Sequence, residues 1–251
     1  MTDTLDARFA DAVGAIDNGD EAALRAIIAA HPWVVTERLS DPGSWLRDQT
    51  GNAADGFFSR PWLLWFVAED PERNGTLPPN VTAIASIIID AARRQQPDDF
   101  QEMLDSTLRL VCWSGVAARC GVQIALIDVL IDAGAIPASN ANNALVNGHM
   151  EAAEHLVARG GELTLAAALC LGRWDDVARI AEASTPEVRQ FSFVMAALNG
   201  RADAVAWMIR DGIPVNEPSG ALYSHGTPLH HAVCSGSLET SRGGRGRPAP
   251  R

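Results

Sequence analysis

The chain has 251 residues, 47% of them apolar, and its 20 basic residues are all arginine. The net charge is −11, and the acidic excess before residue 240 disfavours a nucleic-acid surface on the body of the chain. The longest apolar run, 62–68, is much shorter than the roughly 20 residues of a membrane span, and the first residues lack the apolar segment of a secretory signal. We therefore expect a folded cytoplasmic protein without a membrane partner.

An apolar triplet with the i, i+3, i+4 spacing of a helix face recurs along the chain. The six triplets are Leu24/Ile27/Ile28, Ile84/Ile87/Ile88, Ile127/Leu130/Ile131, Ala153/Leu156/Val157, Val177/Ile180/Ala181 and Val205/Met208/Ile209. A glycine stands five residues before four of these triplets, at Gly19, Gly148, Gly172 and Gly200. An alanine stands four residues before each of these glycines and before Gly236, which predicts a second helix in close contact. The predicted unit is a helix, a tight glycine turn and an antiparallel helix, and such units must stack to bury their apolar faces.

Two insertions interrupt the spacing of these units. Residues 36–59 are rich in Asp, Gly, Asn and Ser, and residues 69–80 contain three prolines, so we interpret both as loops. Between them, Trp62 and Trp65 lie in an apolar stretch that is expected to be a core helix.

The sequence GTPLHHAVCSGSLE at residues 226–239 resembles the ankyrin repeat. The matching positions are Thr227, Pro228, Leu229, His230, Ala232, Gly236 and Glu239, and GHMEAAEHLVARGG, which begins at Gly148, resembles the second half of the same repeat. The resemblance implies an all-α, ankyrin-like helical solenoid over residues 1–239, with about six helix-turn-helix units and an incomplete C-terminal unit. It also implies that His230 ties neighbouring units together by hydrogen bonds. As function it implies a protein–protein interaction module that binds a macromolecular partner through the concave face and loops. Because the sequence shows no motif for catalysis, we expect no catalysis, cofactor or small-molecule substrate.

The candidate partner-binding residues are aromatic or lie near the expected tip of a finger. Trp45 lies in a polar insertion and Trp174 lies just after the turn glycine Gly172, so both are candidate exposed anchors. The alternative is that each tryptophan folds back over its own unit. Leu222, Tyr223 and His225 lie in the loop before the ankyrin-like segment, and His231 is expected to project beside them.

One cluster carries residue types suited to chemistry. His225, His230, His231 and Cys234 could supply zinc ligands, but no second half-site follows, and we expect no bound metal. Phosphate-binding glycine loops and a nucleophile elbow are missing from the sequence. The remaining alternative is an enzyme of unrecognised type, which a pocket joining two of His225, His231 and Cys234 to a carboxylate would favour.

The last residues break the pattern. The spacing requires apolar residues at positions 241, 244 and 245, where the chain has Ser241, Gly244 and Arg245. The final unit is therefore expected to lack its second helix and to expose an apolar helix face, with 240–251 a disordered Arg/Gly/Pro tail. Three explanations stay open: a shifted reading frame or truncation, a basic tail that binds nucleic acid, and an oligomer contact. The break inside a repeat favours the first, which translation of the other reading frames would test.

Overall fold

The computed structural model describes residues 5–40, 43–217 and 226–241. Within these ranges the protein is all-α, with fifteen α-helices, three 3₁₀ helices and no strand. None of the described helices is long and apolar enough to cross a membrane. The chain divides into two compact units, Met1–Pro137 and Ala138–Arg251, here called unit 1 and unit 2.

Unit 1 contains seven α-helices among its described residues. They are α1 (Leu5–Asp17), α2 (Glu21–Ala30), α3 (Ser44–Thr50), α4 (Val81–Gln95), α5 (Phe100–Trp113), α6 (Gly115–Arg119) and α7 (Gln123–Asp132), with 3₁₀ helices at Pro32–Val35, Gly51–Asp55 and Leu63–Ala68. The predicted triplets fall on α2, α4 and α7, and Leu24, Ile84 and Ile127 are fully buried. The stretch expected as a core α-helix forms the 3₁₀ helix Leu63–Ala68, all six residues of which are buried.

The insertion at 36–59 is not the simple loop that its polar composition suggests. It contains α3, and Leu46 of that helix is fully buried. The carboxylate of Asp6 on α1 accepts hydrogen bonds from the backbone N–H of Gly43 (2.8 Å) and from Trp45 Nε1 (2.7 Å). The loop prediction is wrong for residues 44–50, where a short helix forms and the Trp45 side chain contacts Asp6 of α1, a residue distant in the sequence.

Residues 69–80 contain no helix or strand, but they are ordered around one buried acid. Glu69 accepts hydrogen bonds from the backbone N–H groups of Arg73 (2.9 Å), Asn74 and Gly75 (3.2 Å). The Glu69 side chain therefore accepts hydrogen bonds from backbone N–H groups that, in a helix, would be bonded to backbone carbonyls.

Unit 2 contains eight α-helices among its described residues. They are α8 (Asn140–Val146), α9 (Met150–Ala158), α10 (Leu165–Leu171), α11 (Trp174–Ala183), α12 (Pro186–Leu198), α13 (Ala202–Arg210), α14 (Pro228–Cys234) and α15 (Leu238–Ser241). Helices α8/α9, α10/α11 and α12/α13 form pairs, and α10, α12 and α14 pack side by side. The repeated alanines lie at these contacts, since Ala144, Ala168, Ala196 and Ala232 are all buried. The predicted close approach of helices at a small residue is therefore present in this unit.

The first helices of the pairs have recognisable ends. The hydroxyls of Thr164 and Thr185 accept hydrogen bonds from the backbone N–H groups of Ala167 and Val188, which caps α10 and α12. The motif glycines that follow are in the left-handed region, with φ of 74° at Gly148, 69° at Gly172, 65° at Gly200 and 71° at Gly236. This conformation reverses the chain in two residues and is rarely adopted by residues with a side chain.

Candidate functional site: the exposed face of helix α14

Helix α14 is buried on one side only. Pro228, His231 and Ala232 are buried, and Ala232 joins a core cluster that includes Phe193 and Met208. The opposite side carries Leu229, His230, Val233 and Cys234, all of them exposed. Leu229 is 56% exposed and Val233 is 63% exposed. Helix α14 therefore has an exposed apolar face, although the last pair does not lack its second helix entirely, since α15 (Leu238–Ser241) forms and packs on α14.

The matching positions in the preceding helices are covered. Counted back from the turn glycine, Leu229 and Val233 of α14 correspond to Phe193 and Ala197 of α12 and to Leu165 and Leu169 of α10. These four residues are at most 2% exposed. In α10 and α12 six consecutive residues are buried, at 165–170 and 192–197. An inner helix of the row is therefore covered on both sides, and α14 is covered on one.

An apolar groove lies beside this face. It has a volume of about 330 Å³ and runs between α12, α13 and α14. Its apolar lining includes Phe193, Val205, Ile209, Val215 and Leu229, and Thr240 and Ser241 of α15 close one end. Ile209 is 39% exposed and Val215 is 43% exposed, so the groove continues the apolar surface of Leu229. Contiguous exposed apolar surface of this kind is typical of interaction sites. From here on, "the α14 face" means Leu229 and Val233 together with this groove.

His230 has a local role. Its Nδ1 accepts a hydrogen bond from the backbone N–H of Thr227 (3.2 Å) and lies 2.8 Å from the Thr227 hydroxyl. These contacts fix the first turn of α14, where Pro228 also suits the helix start. Hydrogen bonds between helix pairs come from other residues: Asn199 Nδ2 donates to the Leu145 carbonyl (3.0 Å), and Arg201 donates to the Cys170 carbonyl.

The expectation that His231 projects towards a partner is wrong. Its side chain is 7% exposed because it lies on the inner side of α14, against the backbone of Gly226. Burial lowers the pKa of His231, the neighbouring His230 lowers it further, and a hydrogen bond with the Gly226 backbone opposes the shift. His231 is therefore a core residue of the last helix pair.

The two candidate tryptophan anchors are half-buried and pack within their own units. Trp45 donates to Asp6 and stacks on Phe66, with ring centroids 6.3 Å apart. Trp174 packs against the core cluster of unit 2. Both tryptophans therefore pack against the protein itself, and a role of either one in partner binding stays a prediction. Leu222, Tyr223 and His225 lie outside the described residues.

His225 of the histidine-rich end lies outside the described residues, and the described His231 and Cys234 lie on different sides of α14. His231 is buried, Cys234 is exposed, and the groove is lined by neither of them. No group of three His, Cys, Asp or Glu side chains in the described ranges is placed to hold a metal ion. The second helix of this last pair is the single turn α15, and residues 242–251 are outside the described part of the chain.

The sequence predicts an exposed apolar helix face in the last helix pair, but it does not predict all of the residues that form this surface. In the sequence pattern Leu229 has only a motif role and Ile209 is predicted as part of an apolar helix face. Val233 and Val215 are not distinguished by the pattern. The surface could have been predicted from the i, i+4 spacing of Leu229 and Val233, because Ala232 already marks the side of the helix that packs against the core.

Neither protein-family models nor curated proteins give a match to this chain.

Proposed function

We propose that unit 2 is a stack of ankyrin-like helix pairs that binds an amphipathic helix of a protein partner on the α14 face. The proposal assigns binding rather than catalysis to this unit. One observation carries it: Leu229 and Val233 are exposed at positions where α10 and α12 bury Leu165, Leu169, Phe193 and Ala197.

The geometry of the row indicates what kind of occupant fits. The α10 helix is covered by α12, and α12 is covered by α14, so the surface that packs on each helix is the apolar side of another helix. The α14 face presents the same residue positions to solvent. A partner helix with apolar residues at i, i+3, i+4 and i+7 would continue the same packing, which is the helix-in-groove mode of recognition.

Charge favours a partner helix with basic flanks. Residues 138–217 and 226–241 include eleven acidic residues and six arginines. A net negative surface around an apolar groove accelerates association with a positively charged partner, and the apolar contacts then determine the dissociation rate. The occupant that fits best is therefore an amphipathic helix with an apolar stripe and lysine or arginine at its ends.

A peptide derived from the protein tests this proposal without knowledge of the natural partner. The probe is residues 185–200, which contain α12, with a pair of lysines added at each end and a fluorophore. We expect anisotropy titration of the full chain to give a Kd on the order of 10–100 μM. A scrambled peptide of identical composition should bind at least about tenfold more weakly, because its apolar residues no longer form one stripe.

Two matched variants locate the binding site. Val233→Glu places a charge in the α14 face and should weaken peptide binding at least about tenfold, because the charge would be buried on binding. Val188→Glu makes the same change at a valine of α12 that is 42% exposed and lies outside the groove, and it should leave binding unchanged. Equal binding by both variants, or equal binding of the scrambled peptide, would overturn the proposal. So would concentration-dependent self-association that Val233→Glu abolishes in the absence of peptide, because the occupant would then be a second copy.

A further inference from the structure

Unit 1 contains an aromatic cavity that the proposed function does not use. It has a volume of about 400 Å³ and is lined by Phe57, Trp65, Asp70, Arg109, Leu110 and Trp113. Pockets for small organic ligands have volumes of about 300–1,000 Å³, with apolar and aromatic walls and a few polar groups. This cavity has that composition, since four of its six lining residues are aliphatic or aromatic and two are charged.

The walls are held in place by contacts outside the cavity. Trp65 Nε1 donates a hydrogen bond to Ser106 Oγ (2.8 Å), which joins the 3₁₀ helix Leu63–Ala68 to α5. The Trp65 ring also packs against Phe58, with ring centroids 5.6 Å apart. Arg109 and Trp113 are one turn apart on α5, so they line the cavity from the same side of that helix. The Trp65 wall is therefore held in place by contacts that do not involve a ligand.

Phe57 and Arg109 are the exposed residues of the cavity lining. Phe57 is 59% exposed, although its neighbour Phe58 is buried at 1%. The two ring centroids are 6.1 Å apart in an edge-on arrangement, so Phe57 leaves most of its surface to solvent and to the cavity. A ligand in the cavity would cover apolar surface that the protein itself leaves open.

The two charged side chains of the cavity carry opposite charges and do not neutralise each other. Neither the Asp70 nor the Arg109 side chain forms a hydrogen bond or an ion pair with any described residue. Burial raises the pKa of Asp70 to about 6. Asp70 and Arg109 thus line the same cavity without an ion pair between them, and a ligand that carries both charges can contact the two groups.

We infer that this cavity binds a zwitterionic α-amino acid with an aromatic or large aliphatic side chain. The ligand ammonium group binds Asp70, its carboxylate binds Arg109, and its side chain packs between Phe57, Trp65 and Trp113. An aromatic wall beside the ammonium adds cation–π attraction, and a guanidinium offers two parallel donors to a carboxylate. Five of the six lining residues thus have a complementary part of the ligand.

Calorimetric titration of the full chain tests this inference with three probes of similar size. The probes are L-phenylalanine, phenethylamine, which lacks the carboxylate, and 3-phenylpropionate, which lacks the ammonium group. We expect L-phenylalanine to bind most tightly, with each of the other two weakened by roughly 10- to 100-fold, the effect of one charge-assisted hydrogen bond. Leucine should bind and glycine should not, because the aromatic walls require an apolar side chain.

Two substitutions test the binding of the ammonium group and of the carboxylate separately. Asp70→Asn should reduce L-phenylalanine binding to the level of 3-phenylpropionate, and Arg109→Gln should reduce it to the level of phenethylamine. Asp90→Asn and Arg94→Gln, on the exposed side of α4, are the matched controls and should bind normally. The inference is wrong if no amino acid binds at about 10 mM, if phenethylamine binds as tightly as L-phenylalanine, or if both cavity variants bind L-phenylalanine normally.

Discussion

Arg73 and Glu69 form an ion pair that is almost completely removed from solvent. The side chains are 1% and 0% exposed, and Arg73 Nη2 lies 2.7 Å from Glu69 Oε2. Arg73 also donates to both carboxylate oxygens of Asp17 at the end of α1, and its guanidinium lies 4.9 Å from the centroid of the Phe66 ring. Since Glu69 accepts backbone hydrogen bonds from its own loop, this pair holds residues 69–80 against α1.

Removal of one partner of this pair should destabilise unit 1 strongly. Arg73→Met leaves the Glu69 carboxylate buried without its cation, and such a loss costs about 3–5 kcal/mol of unfolding free energy. The measurement is equilibrium urea denaturation followed by circular dichroism. Arg119→Met is the matched control, because Arg119 and Glu72 form an ion pair in which both side chains are 59% exposed. Its loss should cost less than about 1 kcal/mol, and equal losses would contradict the assigned role of the buried pair.

Helices are predictable from the sequence where apolar spacing determines them. Triplets such as Val205/Met208/Ile209 fall on helices throughout, and the alanines before the turn glycines are buried contacts. Prediction fails at 36–59, because the fold of that segment depends on Asp6, a residue 37 positions away from Gly43. The composition of a segment does not reveal a contact with a distant residue. A polar segment that contains a short helix is therefore predicted as a loop.

The charge on Asp70 should reduce stability near neutral pH. Its pKa in the folded protein is about 6, above the ordinary value of 3.8, so folding opposes ionisation. Stability is unaffected at low pH, falls as pH rises between these two values, and stays reduced above pH 6. Asp70→Asn should therefore stabilise the protein at pH 7 by about 1–2 kcal/mol, a value discounted for the partial exposure of the group.

Thermal unfolding of this variant at several pH values provides the measurement. The stability gained by Asp70→Asn should shrink towards zero as pH falls to about 4, where the carboxyl group is largely neutral in the folded protein. The exposed Asp90→Asn control should show no such pH dependence. A gain that is constant from pH 4 to 8 would show that burial of charge is not its cause.

Two glycine-to-alanine substitutions should have opposite effects. Gly200 has φ of 65°, and a Cβ there would lie 3.2 Å from Ser237 Cβ, so Gly200→Ala should cost about 1–2 kcal/mol. Gly14 lies inside α1, where an added Cβ would have no atom within 4 Å, so Gly14→Ala should stabilise by about 0.5–1 kcal/mol. Chemical denaturation of both variants measures the difference. A Gly200→Ala protein as stable as Gly14→Ala would contradict the left-handed turn.

The candidate sites are less predictable from the sequence than the helices are. The sequence of residues 226–239 does not show which side of α14 faces the core. The expectation that His231 projects towards a partner is wrong for this reason, because His231 lies on the buried side. The cavity of unit 1 has no sequence signature, since Phe57, Asp70 and Arg109 come from three separate segments. Only the packing of the 3₁₀ helix Leu63–Ala68 on α5 brings them together.

A fluorophore on Cys234 tests the proposed α14 face most directly. Cys234 is exposed on the same side of α14 as Leu229 and Val233. Burial raises the pKa of the Cys112 thiol and raises that of Cys170 to about 12, so neither should compete for labelling. Cys120 is half-buried and is replaced by serine. Val188→Cys in a chain that also carries Cys234→Ser is the control position.

The proposed function predicts that the probe on Cys234 shifts to shorter emission wavelength when the residue 185–200 peptide is added, because the helix excludes water from the α14 face. The probe at position 188 should not respond, and the scrambled peptide should shift neither probe. Peptide binding that leaves the emission of the Cys234 probe unchanged, or that shifts both probes equally, would contradict binding at the α14 face.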